Sequence, residues 1–346
     1  MPSAPGKKTP PRLSVIIPAF NCQSTIADCL RAVRGSAFTD YELIVVDDGS
    51  TDQTADIAVK YADKLIRLAH AGRTYARLNG VKEAAGQVFV NIDSDVLIQP
   101  DTLTAINVFL NEHPHVDALT GCLSKHTPVT GFFSQYKNLY MHHIFSRLPE
   151  RVTFLYGSIY ATRKALWTDS GNCLKETSQS AKPADDTALG QSYTALGKHI
   201  AFLKYLQVTH LKEYSPAAFV KNDFNIPFGW AQIFMDRQGW RQLGKFGTGF
   251  CHSPKGQLLS VMLAPLLPLS IPFAGAWPGG VYAQLALAAG WLALNMRFLA
   301  FLGREKGLFF GLRGAFVTYC DNIIMAAGIV CGFAAFTLKT RKTAGA

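Results

Sequence analysis

Short β-branched runs alternate with amphipathic stretches along the first hundred residues, a pattern that predicts strands and helices in turn. Leu13 to Pro18 reads as a first strand and Ile26 to Val33 as the helix after it. Glu42 to Asp48 is a second strand, with an unbroken apolar middle (Leu43-Ile44-Val45-Val46) suited to burial. Thr54 to Ala62 follows as a helix, Leu65 to His70 as a strand, Thr74 to Ala85 as a helix and Val88 to Asp93 as a fourth strand. The alternation predicts an α/β domain. Sheets of this kind bind ligands beyond the carboxyl ends of their strands. Three of those ends carry polar groups: Asn21, Asp47/Asp48 and Asp93/Asp95.

Beyond Pro100 the pattern loosens. Pro100-Asp101-Thr102 opens a helix, with Pro suited to the first turn, and Val116 to Leu123 and Leu155 to Thr162 read as further strands. Gly171 to Pro183, rich in Ser, Lys and Gly, reads as a loop. Asp185-Asp186 then opens a helix, where carboxylates suit the positive end of the dipole. After Phe228 the aromatics Trp230, Phe234, Trp240 and Phe246 mingle with Arg237, Arg241 and Lys245, as in a helix lying in a membrane interface. Leu258 to Trp277, Val281 to Leu302 and Ala315 to Leu338 are long apolar runs, each able to cross a bilayer core of about 30 Å. Pro265, Pro268 and Pro272 predict a kinked or re-entrant first run. The chain thus divides into a flexible tail (1–12), an α/β domain (13–225), an amphipathic segment (226–250), a transmembrane region (257–338) and a basic tail (339–346).

Charge and cysteines refine this picture. The formal net charge is +10, from 34 Lys+Arg against 24 Asp+Glu. An excess of that size fits nucleic acid or the anionic cytoplasmic face of a membrane, and the apolar runs select the membrane. Seven scattered cysteines with no CxxC pair fit free thiols in a reducing compartment. No apolar run near the N-terminus reads as a signal peptide. Arg304, Lys306 and Arg313 mark the loop after the second run as cytoplasmic, which predicts a multi-pass inner-membrane protein with its α/β domain in the cytoplasm. Three crossings then place Lys339, Arg341 and Lys342 on the far side, against the positive-inside tendency. An interfacial helix at Leu308 to Phe316 or a re-entrant segment would change the count.

The candidate chemistry sits at the strand ends. Asp93-Ser94-Asp95 places two carboxylates one residue apart, a pair able to hold the divalent cation that accompanies a diphosphate. Asp48 can accept a hydrogen bond from a base N–H, although Asp47-Asp48-Gly49 also suits a plain turn. Arg73 and Arg77, four apart on one helix face, can meet a diphosphate or simply face solvent.

Taken together, Leu13 to Asn21, Val45 to Asp52, Gly72-Arg73 through Asn79-Gly80 and Asn91 to Asp95 resemble the family 2 glycosyltransferases of the GT-A fold. Order, spacing and identity match over about the first hundred residues. The match continues more thinly through Gly157-Ser158, Asp185-Asp186 and His210, and the apolar tail resembles the membrane-bound branch in character. The resemblance implies a Rossmann-like, mostly parallel sheet. It also implies a nucleotide pocket floored by Pro18, Ala19, Phe20 and Asn21, with uracil at Asp48 and the diphosphate near Arg73 and Arg77. Asp93 would face the ribose beside Ser94, and Asp95 would bind Mg²⁺ or Mn²⁺, with Asp93 close by. Asp186 of the acidic pair would be the base; Asp185 stands where the family usually has Glu. A capping role is the alternative for the pair. His210 is a further metal ligand by resemblance, or a structural His holding the Lys212-Glu213-Tyr214 turn. Arg237-Gln238-Gly239-Trp240 has the residues of the Gln-x-x-Arg-Trp motif of processive members in the wrong order, so processive synthesis is not expected.

The expected activity is inverting, metal-dependent transfer of a sugar from a nucleoside diphosphate, UDP first, to a lipid-linked or membrane-presented hydroxyl. Transfer to a polyprenyl phosphate and a non-catalytic nucleotide-binding membrane scaffold are the alternatives. A sugar-nucleotide pyrophosphorylase would open on a Gly-rich phosphate loop, which Ile17-Pro18-Ala19-Phe20-Asn21 is not. Nucleic acid is not an expected partner.

Overall fold

The computed structural model describes residues 9–169, 185–236, 253–273, 275 and 279–344. Two compact units emerge, one of residues 1–127 and 150–211, the other of residues 128–149 and 212–346.

The first unit is a nine-stranded sheet with flanking helices. Its strands are β1 (Leu13–Ala19), β2 (Tyr41–Asp47), β3 (Lys64–Arg67), β4 (Val88–Ile92), β5 (Val96–Leu97), β6 (Ala118–Leu123), β7 (Arg151–Val152), β8 (Ile159–Arg163) and β9 (Ile200–His210). The order is β3-β2-β1-β4-β8-β6-β9-β5, with β7 beside β9. The first four strands pair in parallel, whereas β8 runs antiparallel between β4 and β6. Beyond β4 the sheet is therefore mixed, where the resemblance implied a mostly parallel one. The apolar middles of β1, β2 and β4 are fully covered, as their unbroken hydrophobic runs require.

Pro18 fits this central strand for a specific reason. Ala19 accepts the Asp48 N–H from the β2 side at 2.8 Å. In a parallel ladder the alternate residue then turns its nitrogen toward β4, where pairing has already ended at Ile16↔Asn91. No ladder bond is lost to the missing N–H.

The second unit is helical. It contains helices Phe132–Phe145, Pro216–Asp236, Lys255–Leu263, Leu266–Ser270, Gly280–Lys306 and Leu308–Ala344. Three stretches, Lys255–Phe273, Gly280–Lys306 and Leu308–Leu338, are long and apolar enough to cross a membrane. Pro265 and its successors break the first into two α-helical pieces and a 3₁₀ turn, as its prolines predict. No separate helix spans Leu308 to Phe316: those residues are the opening turns of one continuous helix ending at Ala344. The described part of the amphipathic segment, 226–236, ends the helix Pro216–Asp236; Trp240, Arg241, Lys245 and Phe246 lie outside the described residues.

Packing between these helices relies on small and polar residues. Gly328 and Gly332, one turn apart, meet the helix Pro216–Asp236 so closely that an added Cβ would lie 2.3 Å from the Phe224 carbonyl and 2.5 Å from that of Phe228. Asn295 and Asn322 both donate to Ser260 Oγ, at 2.7 and 2.6 Å, joining three helices through buried amides. Lys137 pairs with the buried Asp223, and Tyr136 donates to Thr318 at 3.0 Å.

Candidate active site

The carboxyl end of β1 is tied to the turn after β2. Asn21 takes a left-handed conformation (φ 45°), tolerated by Asn because its short amide bonds locally. Its Oδ1 accepts the Thr51 N–H at 2.8 Å, and its own N–H donates to Ser50 Oγ at 3.0 Å. Asp48 is buried, and its carboxylate accepts the Ala71 N–H at 2.9 Å and the Gly72 N–H at 2.8 Å. His70 Nδ1 lies 2.9 Å from the same carboxylate, and its ring stacks on Phe20 with centroids 4.1 Å apart. Two backbone N–H groups thus occupy the Asp48 carboxylate, whose roughly four acceptor positions leave capacity for a further donor, while His70 Nδ1 also meets the Asp48 backbone carbonyl at 3.1 Å.

The helix Arg73–Glu83 brings its first turn to the second acidic pair. Arg73 Nη2 donates to Asp185 Oδ1 at 2.6 Å, Thr74 Oγ1 donates to Asp185 Oδ2, and Arg77 Nη1 reaches the same oxygen at 3.3 Å. Arg77 also donates to Asp93 Oδ1 at 2.7 Å. The guanidinium is buried, with the Tyr160 ring 5.7 Å away. The two arginines share a helix face, as their spacing predicts; Arg77 is buried there against Asp93 and Asp185, whereas Arg73 reaches Asp185 with its side chain still partly exposed.

Asp185 and Asp186 are neighbours with different environments. Burial opposes ionisation of Asp185, yet the charges of Arg73 and Arg77 and the hydrogen bonds from Arg73 and Thr74 outweigh it and hold the carboxyl well below its ordinary range. For Asp186, burial and then the charge of Asp185 prevail over the same arginines and push the carboxyl up. Asp186 Oδ2 accepts the Gly157 N–H at 2.7 Å, and Oδ1 accepts the Thr187 N–H at 2.8 Å. Two adjacent carboxyls whose ionisation is driven apart are a recurrent acid–base arrangement.

Gly157 sits among all three charged groups. A Cβ there would lie 2.9 Å from Asp186 Oδ2, 3.1 Å from Arg77 Nη2 and 3.3 Å from Asp93 Oδ2. Gly157 matched the family pattern, but only the structure reveals this close approach. His70, Thr74 and Tyr160 were not singled out from sequence. His70 follows β3, and its contacts depend on the turn that Asp48 holds.

Asp95 and His210 face each other across β5 and β9, where Val96 pairs with His210. Asp95 Oδ2 and His210 Nε2 are 3.5 Å apart and partly exposed. Ser94 lies against the Cys22 thiol. Among the described residues no three His, Cys, Asp or Glu side chains form a complete metal cage. One carboxylate and one imidazole suit a cation such as Mn²⁺ that completes its shell with phosphate oxygens and water.

Residues 14–168 match the profile of glycosyl transferase family 2. The chain carries a family 2 glycosyltransferase domain. The domain is similar to the Staphylococcus aureus poly(ribitol-phosphate) beta-N-acetylglucosaminyltransferase TarS, with 35% identity over 116 residues, 31% of this chain and 20% of that protein. It is also similar to the putative glycosyltransferase EpsE of Bacillus subtilis, with 35% identity over 121 residues, 33% of this chain and 44% of that protein. The chain therefore spans less than half the length of these curated relatives. A solved structure of the mannosyltransferase PcManGT from Pyrobaculum calidifontis, in complex with GDP-Man and Mn²⁺, aligns with a TM-score of 0.57 at 19% identity. The alignment covers 94% of this chain and 89% of that one, and shows that the family 2 domain has the GT-A fold.

Proposed function

We propose that the protein is an inverting, metal-dependent glycosyltransferase of the cytoplasmic face of the inner membrane. It moves a sugar from a nucleoside diphosphate, UDP first among them, to a hydroxyl on a lipid-linked or membrane-presented acceptor. The observation that carries this reading is the division of labour at the acidic pair: Asp185 is committed to Arg73, Thr74 and Arg77, while Asp186 is left with raised proton affinity beside Gly157.

Asp186 accepts the proton of the acceptor hydroxyl as its oxygen attacks the anomeric carbon. The bond from that carbon to the diphosphate oxygen breaks on the opposite side, and the nucleoside diphosphate leaves with the electron pair. Configuration inverts because attack and departure are in line. Asp95 and His210 would hold a divalent cation, which would supply charge neutralisation for the diphosphate. Arg73 and Arg77 keep the acidic pair ordered and add positive potential near Asp93. Phe20 and His70 offer a stacked edge to the base, Asp48 retains acceptor capacity for its N–H, and Pro18, Ala19 and Asn21 form the floor. Asp93 and Ser94 border the ribose. The three apolar stretches hold the enzyme at the bilayer, with Arg304, Lys306 and Arg313 on the cytoplasmic side.

The test is incubation of membranes containing the protein with a panel of radiolabelled UDP- and GDP-sugars and Mn²⁺ or Mg²⁺. Label entering the lipid extract from one donor, and lost with chelator, supports the proposal. No transfer from any donor, with intact binding of nucleotide, would favour a non-catalytic scaffold.

A further inference from the structure

Arg297 lies in the helix Gly280–Lys306, about 13 Å inside its Lys306 end at 1.5 Å of rise per residue, and its position is exposed. On the membrane reading proposed above, a cation there is expensive unless it is paired or reaches the headgroups. Among the described residues neither Arg297 nor Arg147 forms an ion pair with a carboxylate.

The surroundings of Arg297 bring a second arginine to it. Phe298 and Phe301, next to it and one turn on, pack on His143 with ring centroids 5.1 Å away in each case. His143 Nε2 accepts a hydrogen bond from Arg147 Nη1. The imidazole thus bonds Arg147 while its ring meets the two phenylalanines that neighbour Arg297 on its helix. Burial, and next the positive charge of Arg297, lower the Arg147 guanidinium from its ordinary value, as expected of a cation facing a like charge. Burial, then Arg147 and His142, bring His143 down to about 3, so it stays neutral and keeps its lone pair for Arg147.

Two guanidiniums, one bonded to a neutral ring and the other beside the phenylalanines that pack on that ring, form a site that an anion would relieve. Guanidinium forks match phosphate oxygens in pairs. Two full charges complement a headgroup of two negative charges better than the single charge of a phosphodiester. We propose that Arg147 and Arg297 bind the headgroup of a membrane lipid that ends in a phosphate monoester or carries a diphosphate, its chain lying along the Gly280–Lys306 helix. This rests on the membrane reading and would supply the anchor of the lipid-linked acceptor.

The test uses the full chain in phosphatidylcholine nanodiscs, with a polyprenyl phosphate added as probe and retained lipid measured by native mass spectrometry. The expected result is that Arg147→Ala and Arg297→Ala each weaken retention by about tenfold or more. Arg147→Lys and Arg297→Lys should restore part of it, which loss of folding could not produce. Phosphatidylglycerol should bind far more weakly, and inorganic pyrophosphate at the concentration of the lipid should not displace it. Unchanged retention in both alanine variants overturns the site. Equal binding of phosphatidylglycerol overturns the preference for two charges, and displacement by pyrophosphate overturns the lipid as ligand. Nucleotide-sugar binding measured by calorimetry on the same samples separates the two proposals. Its absence in the wild type counts against the transferase reading alone.

Discussion

The carboxylate of Asp186 accepts the backbone N–H of Gly157 at 2.7 Å. That bond fixes the carboxylate against a residue with no side chain, in a space where any Cβ would press on Asp186, Arg77 and Asp93 together. Gly157→Ala should therefore displace the proposed base and the Arg77–Asp93 pair at once. The expected cost is about 1–3 kcal/mol of stability, typical of overpacking, with a larger loss in kcat than in donor affinity. Urea unfolding and steady-state kinetics on the one variant measure both.

Asp186 should set the acid limb of the pH–rate profile. Its proton affinity is raised by burial and by Asp185, so activity should rise with pH through a value above that of an ordinary carboxylate. Chelation of the cation should abolish transfer at every pH without moving that limb in the reloaded enzyme. The rate at saturating donor, measured from pH 4 to 8, reads this directly.

Asp185 should behave as a structural acid. Asp185→Asn leaves two arginines, one of them buried, without their shared counter-charge, and removing one partner of a buried pair costs about 3–5 kcal/mol. The pH dependence has a definite sign. The folded carboxyl is held below its unfolded value of about 3.9, so its contribution is complete above that pH and is lost as pH falls toward the folded value. The wild type should lose stability on acidification through this window more steeply than Asp185→Asn, as followed by urea midpoints.

In the helical unit, Gly328→Leu should separate two helices whose contact leaves no room for a Cβ against the Phe224 carbonyl. A lowered melting temperature in detergent, with the melting of a control Val330→Leu unchanged at its exposed position, is the expected outcome.

The sequence made the front of the α/β unit legible because β1, β2 and β4 have unbroken apolar middles and their helices have one apolar face. It also placed Asn21, Asp48, Asp93 and Asp95 at strand ends, where they are found. The helix Phe132–Phe145 was not anticipated: Ser134, Gln135, Asn138 and His143 are buried among its apolar residues, so no polar face marks its period. The β8 strand begins at Ile159, later than its apolar run suggests, because Gly157 and Ser158 form the turn that meets Asp186 and Asp93. The Arg77–Asp185 contact joins residues 108 positions apart, and only the folded sheet brings them together. The resemblance already points to Asp186 of the pair, but that Asp185 is the anchored member is legible only from its contacts with Arg73, Thr74 and Arg77.

The central claim is tested most directly by sugar transfer from the accepted nucleotide sugar to membrane lipid in wild type, Asp186→Asn and Asp95→Ala, with donor binding measured in parallel. The account predicts that Asp186→Asn binds donor normally but transfers about a hundred- to ten-thousand-fold more slowly, and that Asp95→Ala loses metal-dependent transfer. Robust transfer by Asp186→Asn with loss only in Asp95→Ala would point instead to an ionised lipid phosphate as acceptor. Undiminished transfer by both variants would contradict the account.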